Sequence, residues 1–157
     1  MRTIQNTNVC VIGGAGFIGS HLVDYLIKER KCNVIVLDNL ITGQVKNVNQ
    51  EAKFIWHDIR DNENELTRIL KNHNIEYVFN YAAEPYIPEC FERPMHFFDI
   101  NATSVLRVLN ACHSADIKGL LQVSSAEIYG DMKGTKLKGL EQKALPSGKG
   151  KKKISPD

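Results

Sequence analysis

Ser125, Tyr129 and Lys133 are the residues whose types and spacing most directly suggest a chemical reaction. They belong to the stretch SSAEIYGDMK, which covers residues 124–133. A serine hydroxyl can orient a substrate oxygen. A Tyr-x-x-x-Lys pair can remove a proton, because a nearby ammonium group lowers the pKa of a tyrosine from its reference of about 10. Such a pair acts from one face of a helix, which Gly130 disfavours here. The role of Tyr129 therefore depends on the elements around it.

Apolar runs alternate with amphipathic segments before this stretch. Short apolar runs predict buried strands at residues 8–13, 33–38, 53–58, 76–83 and 119–125. Amphipathic segments predict helices at residues 17–30, 62–73 and 97–115. The first helix is expected to bury one face, made of Phe17, Ile18, Leu22, Val23, Leu26 and Ile27. Because helices separate successive strands, this order predicts an α/β fold, a Rossmann-type doubly wound parallel sheet of about five strands.

The junction between the first strand and the first helix is rich in glycine. Gly13, Gly16 and Gly19 form a G-x-x-G-x-x-G loop. Glycines there allow a tight turn and the close approach of a pyrophosphate, which would sit at the positive end of the helix dipole. Asp38, at the end of the second strand, would accept hydrogen bonds from an adenosine ribose and repel a 2′-phosphate. The pattern predicts binding of NAD in preference to NADP, and a purely structural turn is the alternative.

Composition restricts the class of protein. The 157 residues are 43% hydrophobic and 24% charged, as in a soluble globular domain. No apolar run approaches the roughly 18 residues of a membrane span, and the N-terminus lacks the apolar region of a secretory signal. The four cysteines contain no C-x-x-C pair, and the five histidines show no metal-ligand spacing. We expect a cytoplasmic protein with reduced cysteines, no membrane contact and no metal site.

Charge is unevenly distributed along the chain. Residues 133–157 contain eight Lys and two acidic residues, whereas residues 1–132 contain 12 Lys and Arg against 16 Asp and Glu. The basic segment has few apolar residues and no aromatic one, so it cannot offset the entropy of ordering. We expect residues 1–130 to form a dinucleotide-binding domain and residues 131–157 a flexible tail or an incomplete active-site loop. Because the basic segment has no aromatic residues and residues 1–132 carry a net negative charge, we expect no nucleic-acid partner.

Six stretches of the chain form an ordered set of motifs. They are GGAGFIGSHL (13–22), LDNLITG (37–43), HDIRD (57–61), NYAAE (80–84), NATSVLRVL (101–109) and SSAEIYG (124–130). In this order they resemble the extended short-chain dehydrogenase/reductases, and among them the NAD-dependent nucleotide-sugar epimerases and dehydratases. Their order and spacing carry more weight than the glycine loop alone. The resemblance implies an enzyme that transiently oxidises a nucleotide sugar with bound NAD.

The resemblance also implies a role for particular residues at the cofactor. The pyrophosphate would be lined by Gly13, Gly16 and Gly19, with Phe17 and Ile18 as neighbours. The adenosine ribose would be held by Asp38 and Asn39, and the adenine flanked by Asp58 and Ile59. Along the rest of the cofactor would lie Ala82, Ala83 and Glu84, with Asn101 bracing the site from its helix.

Two residues are implied as catalytic. Ser125 matches the hydroxyl residue that binds the sugar oxygen being oxidised. Glu127 stands where related dehydratases carry an acid/base, although Ala126 replaces the first acidic residue of their pair. An exposed glutamate without a catalytic role is the alternative for Glu127, and the Ser-Ala pair favours a 4-epimerase or a decarboxylase. The sugar and the reaction type stay open.

The resemblance answers the question about Tyr129. In the family, the catalytic Tyr-x-x-x-Lys lies on a helix that begins some two dozen residues after the serine. Tyr129 follows Ser125 by four positions, roughly 13 Å of extended chain, and matches the family's non-catalytic "YG" tyrosine. We interpret Tyr129 and Lys133 as non-catalytic. Residues 154–157 resemble the lead-in to the catalytic helix, so we expect an enzyme truncated before that helix and its substrate domain.

Two functions follow from these patterns. The first is an NAD-dependent nucleotide-sugar epimerase or dehydratase, present as an incomplete chain that is inactive alone. The resemblance implies that it takes a nucleotide sugar and forms a homodimer by packing of the helix at residues 97–115 and its neighbour. The alternative is a non-catalytic dinucleotide-binding or interaction module, which would bind NAD without turnover.

Overall fold

The structure, a computed structural model, describes residues 4–125. Within them, five parallel strands form one sheet in the order β3-β2-β1-β4-β5. The strands are β1 (Asn8–Ile12), β2 (Asn33–Asp38), β3 (Lys53–Trp56), β4 (Tyr77–Asn80) and β5 (Gly119–Gln122). The predicted α/β fold, a Rossmann-type parallel sheet of about five strands, is confirmed.

Helices cover both faces of the sheet. They are α1 (Phe17–Lys28), α2 (Glu63–Asn72), α3 (Ile87–Glu92), α4 (Pro94–Phe98) and α5 (Ser104–Ser114), with a 3₁₀ turn at Val45–Asn47 and a π turn at Asp99–Thr103. Successive side chains of a strand point to opposite faces. Val9 and Val11 therefore pack with α1, whereas Cys10 and Ile12 pack with α2 and α5. Burial on both faces explains why β1 is apolar throughout.

One expectation about the helices was wrong. Phe17 and Ile18 begin α1 but are 80% and 62% exposed, because the first turn projects beyond the sheet and burial starts at Gly19. The helix expected at residues 97–115 is present as continuous helical backbone up to Ser114, with a π turn at Asp99–Thr103 between α4 and α5. In addition, the sequence patterns do not predict the short helix α3. Pro88 occupies the first turn of α3, where a missing N–H costs nothing.

The chain divides into two units, residues 1–123 and residues 124–157. All helices and strands of the described residues belong to the first unit. The predicted tail, residues 131–157, lies outside the described residues. Within residues 4–125, no helix has the length and apolar character needed to cross a bilayer.

Candidate functional site

A cleft of about 530 Å³ opens at the carboxyl ends of β1, β2 and β4. The chain runs outward from β1 to β3 and then returns to β4 on the other side of β1, so the cleft lies at the topological switch point of the sheet. Ligands of open α/β sheets bind at such a point. The cleft is lined by Ile12, Gly13, Gly16, Leu37, Asp38, Asn39, Ile41, Thr42, His57, Ile59, Tyr81, Ala82, Ala83, Glu84 and Ile100.

The structure brings eight of the thirteen predicted cofactor-binding residues to the wall of this cleft. They are Gly13, Gly16, Asp38, Asn39, Ile59, Ala82, Ala83 and Glu84. The other five, which are Phe17, Ile18, Gly19, Asp58 and Asn101, are not on the wall. Three of these five lie outside the cleft and contact a wall residue: Gly19 contacts Gly13, Asp58 contacts Asn39 and Asn101 contacts Glu84. The side chains of Phe17 and Ile18 are in solvent.

The glycine loop is pressed between β4 and the start of α1. Gly13 has φ +77°, and a Cβ placed on it would lie 2.8 Å from the backbone of Tyr81 and Ala82. A Cβ on Gly19 would lie 2.2 Å from the Gly13 carbonyl oxygen. Only glycine fits these two positions. The N-cap of α1 is Gly16, which has no side chain to cap the first-turn N–H groups. These N–H groups are therefore available to an anion.

Asp38 ties the glycine loop to the loop after β2. Its buried carboxylate accepts hydrogen bonds from the backbone N–H of Ala15 at 3.0 Å and of Leu40 at 2.8 Å. Gly43 packs directly on this carboxylate, since a Cβ there would lie 2.7 Å from Asp38 Oδ1. The side chain that was predicted to bind a ribose thus also fixes the shape of the cleft.

Asp58 contributes to the site by accepting a hydrogen bond from Asn39. Its carboxylate accepts a 2.9 Å hydrogen bond from Asn39 Nδ2 and two from the Arg60 guanidinium, at 2.6 and 3.0 Å. The Arg60 hydrogen bonds hold the pKa of the Asp58 carboxyl well below its usual range. Asp58 therefore stays ionised and orients Asn39. The neighbouring His57 lines the cleft, and burial lowers the pKa of its imidazole.

The loop after β4 is held by side-chain amides. Asn80 is fully buried, and its Oδ1 accepts a hydrogen bond from the Ala82 N–H at 3.1 Å. Asn101 binds the backbone of Glu84 twice, since its Oδ1 accepts from the N–H at 3.0 Å and its Nδ2 donates to the carbonyl at 2.8 Å. The π turn carries Asn101 to this position. The loop therefore presents Ala82, Ala83 and Glu84 to the cleft in a defined conformation.

Sequence reasoning missed a polar chain beside the cleft. His96 on α4 contacts Glu84 Oε2 through Nε2 at 2.9 Å and Arg60 through Nδ1 at 3.1 Å. Arg60 in turn binds Asp58. No single spacing in the sequence relates these residues, because the loop after β3, the loop after β4 and the helix α4 bring them together. Ile41 and Thr42 were also missed as wall residues, although they lie in the LDNLITG stretch.

The predicted catalytic residues belong to the second unit. Ser125 is exposed and follows the end of β5 by three residues. Glu127, Tyr129 and Lys133 lie outside the described residues. Residues 4–125 contain no group of three or more His, Cys, Asp or Glu side chains that could hold a metal ion.

Comparison with known proteins identifies the family. The family model described as NAD dependent epimerase/dehydratase family matches residues 9–148. The chain belongs to this family. The resemblance noted in the sequence is thereby confirmed, and NAD is the cofactor after which the family is named.

Relatives of the chain within the NAD dependent epimerase/dehydratase family include UDP-glucose 4-epimerases. That of Lactobacillus helveticus is 43% identical over 122 residues, which are 78% of this chain and 36% of the relative. The Stenotrophomonas maltophila enzyme, solved with NAD and formylated UDP-arabinopyranose, is 30% identical with a TM-score of 0.74, over 79% of this chain and 38% of that one. The Thermus thermophilus enzyme, solved with NAD, is 36% identical with a TM-score of 0.67, over 72% and 36%. The chain thus spans little more than a third of these relatives.

The described residues fit the family's cofactor. The close approach of Gly13 and Gly19 to neighbouring backbone leaves the glycine loop without side chains toward the cleft. The uncapped N-terminus of α1 supplies N–H donors for a diphosphate, and the Asp38 carboxylate lies on the wall for a ribose.

Proposed function

We propose that this chain supplies the NAD-binding part of a nucleotide-sugar 4-epimerase. The observation that carries the proposal is the cleft at the switch point, where eight predicted cofactor residues meet beside a side-chain-free glycine loop. The relatives named above are UDP-glucose 4-epimerases, which favours epimerisation of a UDP-hexose over dehydration or decarboxylation.

Each part of the cleft has a proposed partner on NAD. The first-turn N–H groups of α1 and the backbone of Gly13 and Gly16 bind the diphosphate. Asp38 and Asn39 bind the adenosine ribose, and the negative charge of Asp38 disfavours the 2′-phosphate of NADP. Asp58 and Ile59 flank the adenine, and Asp58 also orients Asn39 through a hydrogen bond. The loop of Ala82, Ala83 and Glu84, braced by Asn101, runs along the remaining part of the cofactor. Gly19, Phe17 and Ile18 position the start of α1 without touching the ligand through their side chains.

Bound NAD would accept a hydride from the sugar carbon and later return it. In this scheme the Ser125 hydroxyl orients the sugar oxygen, and Glu127 is the candidate acid/base should elimination of water be the reaction instead. Serine is too weak a base to remove the proton near neutral pH. We propose that Tyr129 does not act in its place, because it follows Ser125 too closely.

We place this function in the cytoplasm. All four cysteines, Cys10, Cys32, Cys90 and Cys112, are free thiols. Burial raises the pKa of the Cys112 thiol to about 11 and that of the Cys10 thiol still further, so both stay protonated and unreactive. Free, buried thiols suit a reducing compartment.

Calorimetric titration of the 157-residue chain with NAD tests the proposal. We expect binding by the unsubstituted chain and its loss in Gly16→Val, because an isopropyl group would occupy the path of the diphosphate. A Cβ at Gly16 meets only the Gly13 carbonyl oxygen, at 3.3 Å, so the variant should still fold. Circular dichroism provides this control. Equal NAD affinity in the folded variant would refute the site.

The same preparation tests the proposed lack of turnover. Within these 157 residues, no Tyr-x-x-x-Lys follows Ser125 at the distance found in the family. We therefore expect NAD binding without conversion of UDP-glucose to UDP-galactose, as followed by chromatography. Conversion that disappears in Tyr129→Phe would show that Tyr129 is catalytic after all.

A further inference from the structure

Glu84 places a carboxylate on the wall of the cleft that we propose takes NAD. The diphosphate of NAD is negative, and like charges repel strongly where water is excluded. Glu84 also borders a neighbouring cavity of about 460 Å³, which Arg93 and His96 line as well. Arg93 is engaged with Glu89 on α3. The carboxylate therefore needs another partner on this side if the cleft is to accept an anion.

His96 is that partner. Its Nε2 lies 2.9 Å from Glu84 Oε2, and the two side chains are only 19% and 12% exposed. A hydrogen bond to a carboxylate in such surroundings is stronger than one at the surface. The contact holds the carboxylate against α4.

Arg60 determines which nitrogen of His96 carries the proton. A guanidinium can only donate, and Arg60 directs an N–H to His96 Nδ1 at 3.1 Å. Nδ1 must therefore accept, which leaves the hydrogen on Nε2, facing Glu84. The Nε and Nη2 groups of Arg60 donate to Asp58, so the guanidinium is also held from the adenine side of the cleft.

We propose that His96 is a positioning residue for cofactor binding, which holds the Glu84 carboxylate by a hydrogen bond so that the cleft accepts an anionic dinucleotide. The inference rests on the proposed function. Asp58, Arg60, His96 and Glu84 form one chain of hydrogen bonds from the loop after β3 to the loop after β4. Without His96, the carboxylate would be free to turn toward the diphosphate.

Titration of the 157-residue chain with NAD at about 50 mM and about 500 mM NaCl tests this role. We expect His96→Leu to weaken NAD binding about tenfold at low salt, as for loss of a charge-assisted hydrogen bond. The defect should shrink at high salt, because salt screens the repulsion. His96→Gln keeps one acceptor and one donor and should recover most of the affinity. Adding Glu84→Gln to His96→Leu should also recover affinity, since it removes the charge. His113→Leu, on the exposed end of α5, is the matched control.

The outcomes separate the inference from the proposed function. Failure of the unsubstituted chain to bind NAD would overturn both. NAD binding that His96→Leu leaves unchanged, or weakens equally at both salt concentrations, would overturn the inference alone. Long-range ¹H–¹⁵N spectra of the histidines give a second measurement that does not need NAD. We expect the Nε2–H tautomer for His96, and an Nδ1–H tautomer would overturn the inference.

Discussion

The Asp38 carboxylate lies on the wall of the cleft and also accepts hydrogen bonds from two loops. Its position after a buried strand suggests a ribose ligand. The structure adds that both carboxylate oxygens already accept backbone hydrogen bonds, from Ala15 and Leu40. These bonds join the glycine loop to the loop after β2. An Asp38 substitution would therefore alter the shape of the cleft as well as any contact with a ribose, so loss of NAD binding would not by itself prove the contact.

The ion pair of Asp58 and Arg60 leads to a prediction about pH. The folded-state pKa of Asp58 is depressed, first of all by the Arg60 hydrogen bonds, below the unfolded value of about 3.9. Its contribution to the free energy of unfolding is therefore fully present above that value and is lost as the pH falls toward the folded pKa. We expect Arg60→Met to lower the free energy of unfolding by about 1–2 kcal/mol near neutral pH. The deficit should narrow as the pH approaches about 3.

Urea unfolding followed by circular dichroism, at neutral and at acid pH, measures this difference. Arg68→Met is the matched control, because Arg68 pairs with Glu65 on the exposed side of α2. The Arg68 side chain is 62% exposed and the Glu65 side chain 47% exposed. Exposed pairs contribute little to stability, so Arg68→Met should leave the free energy of unfolding nearly unchanged. A deficit for Arg60→Met that stays constant across the pH range would contradict the assignment of the effect to Asp58.

At the scale of elements, the π turn at Asp99–Thr103 has a definable task. It carries Asn101 to the backbone of Glu84, where one amide satisfies both the N–H and the carbonyl of that residue. The buried Ser104 hydroxyl donates to the Asp99 carbonyl across the same turn, at 2.8 Å. Turns of this kind are frequent at functional sites. The helical segment thereby fixes the loop after β4.

We predict that Asn101→Ala loosens this loop while leaving the sheet intact. Loss of two hydrogen bonds should lower the free energy of unfolding by about 1–2 kcal/mol. The more specific result is local. In the variant, the Glu84 amide should exchange its hydrogen faster than in the unsubstituted chain, whereas exchange at the amides of β1 should not change. Hydrogen exchange measured by NMR distinguishes the two regions. Unchanged protection of the Glu84 amide would mean that Asn101 does not brace the loop.

The sequence predicts the sheet better than it predicts the helices around the cleft. The apolar runs of β1 and β2 report burial on both faces, which depends little on other parts of the chain. Phe17 and Ile18 were misplaced because apolar periodicity cannot show where α1 leaves the sheet. The π turn and α3 were missed because tertiary contacts and a favourable proline position decide them. The Asp58–Arg60–His96–Glu84 chain joins residues distant in sequence, so no local pattern could reveal it.

At the scale of the whole molecule, α4, the π turn and α5 share an exposed apolar stripe. It consists of Met95, Phe98, Ala102, Leu106 and Leu109, which are three or four residues apart along the chain. Phe98 and Leu106 are 63% and 58% exposed. A stripe of this spacing is typical of a helix that packs against another element. We propose that its partner is a second copy of the chain, in line with the homodimer expected from the sequence.

We predict that Leu106→Glu converts a dimer into a monomer without unfolding it. A charge at the centre of the stripe would be buried without a partner on association, which is strongly unfavourable. Because Leu106 is exposed, the substitution should leave the fold of the single chain unchanged. Sedimentation velocity at several concentrations measures the state of association. Val45→Glu, which introduces the same charge at a 57% exposed apolar residue outside the stripe, should stay dimeric. If the unsubstituted chain sediments as a monomer at all concentrations, or if both variants associate equally, the stripe is not a dimer interface.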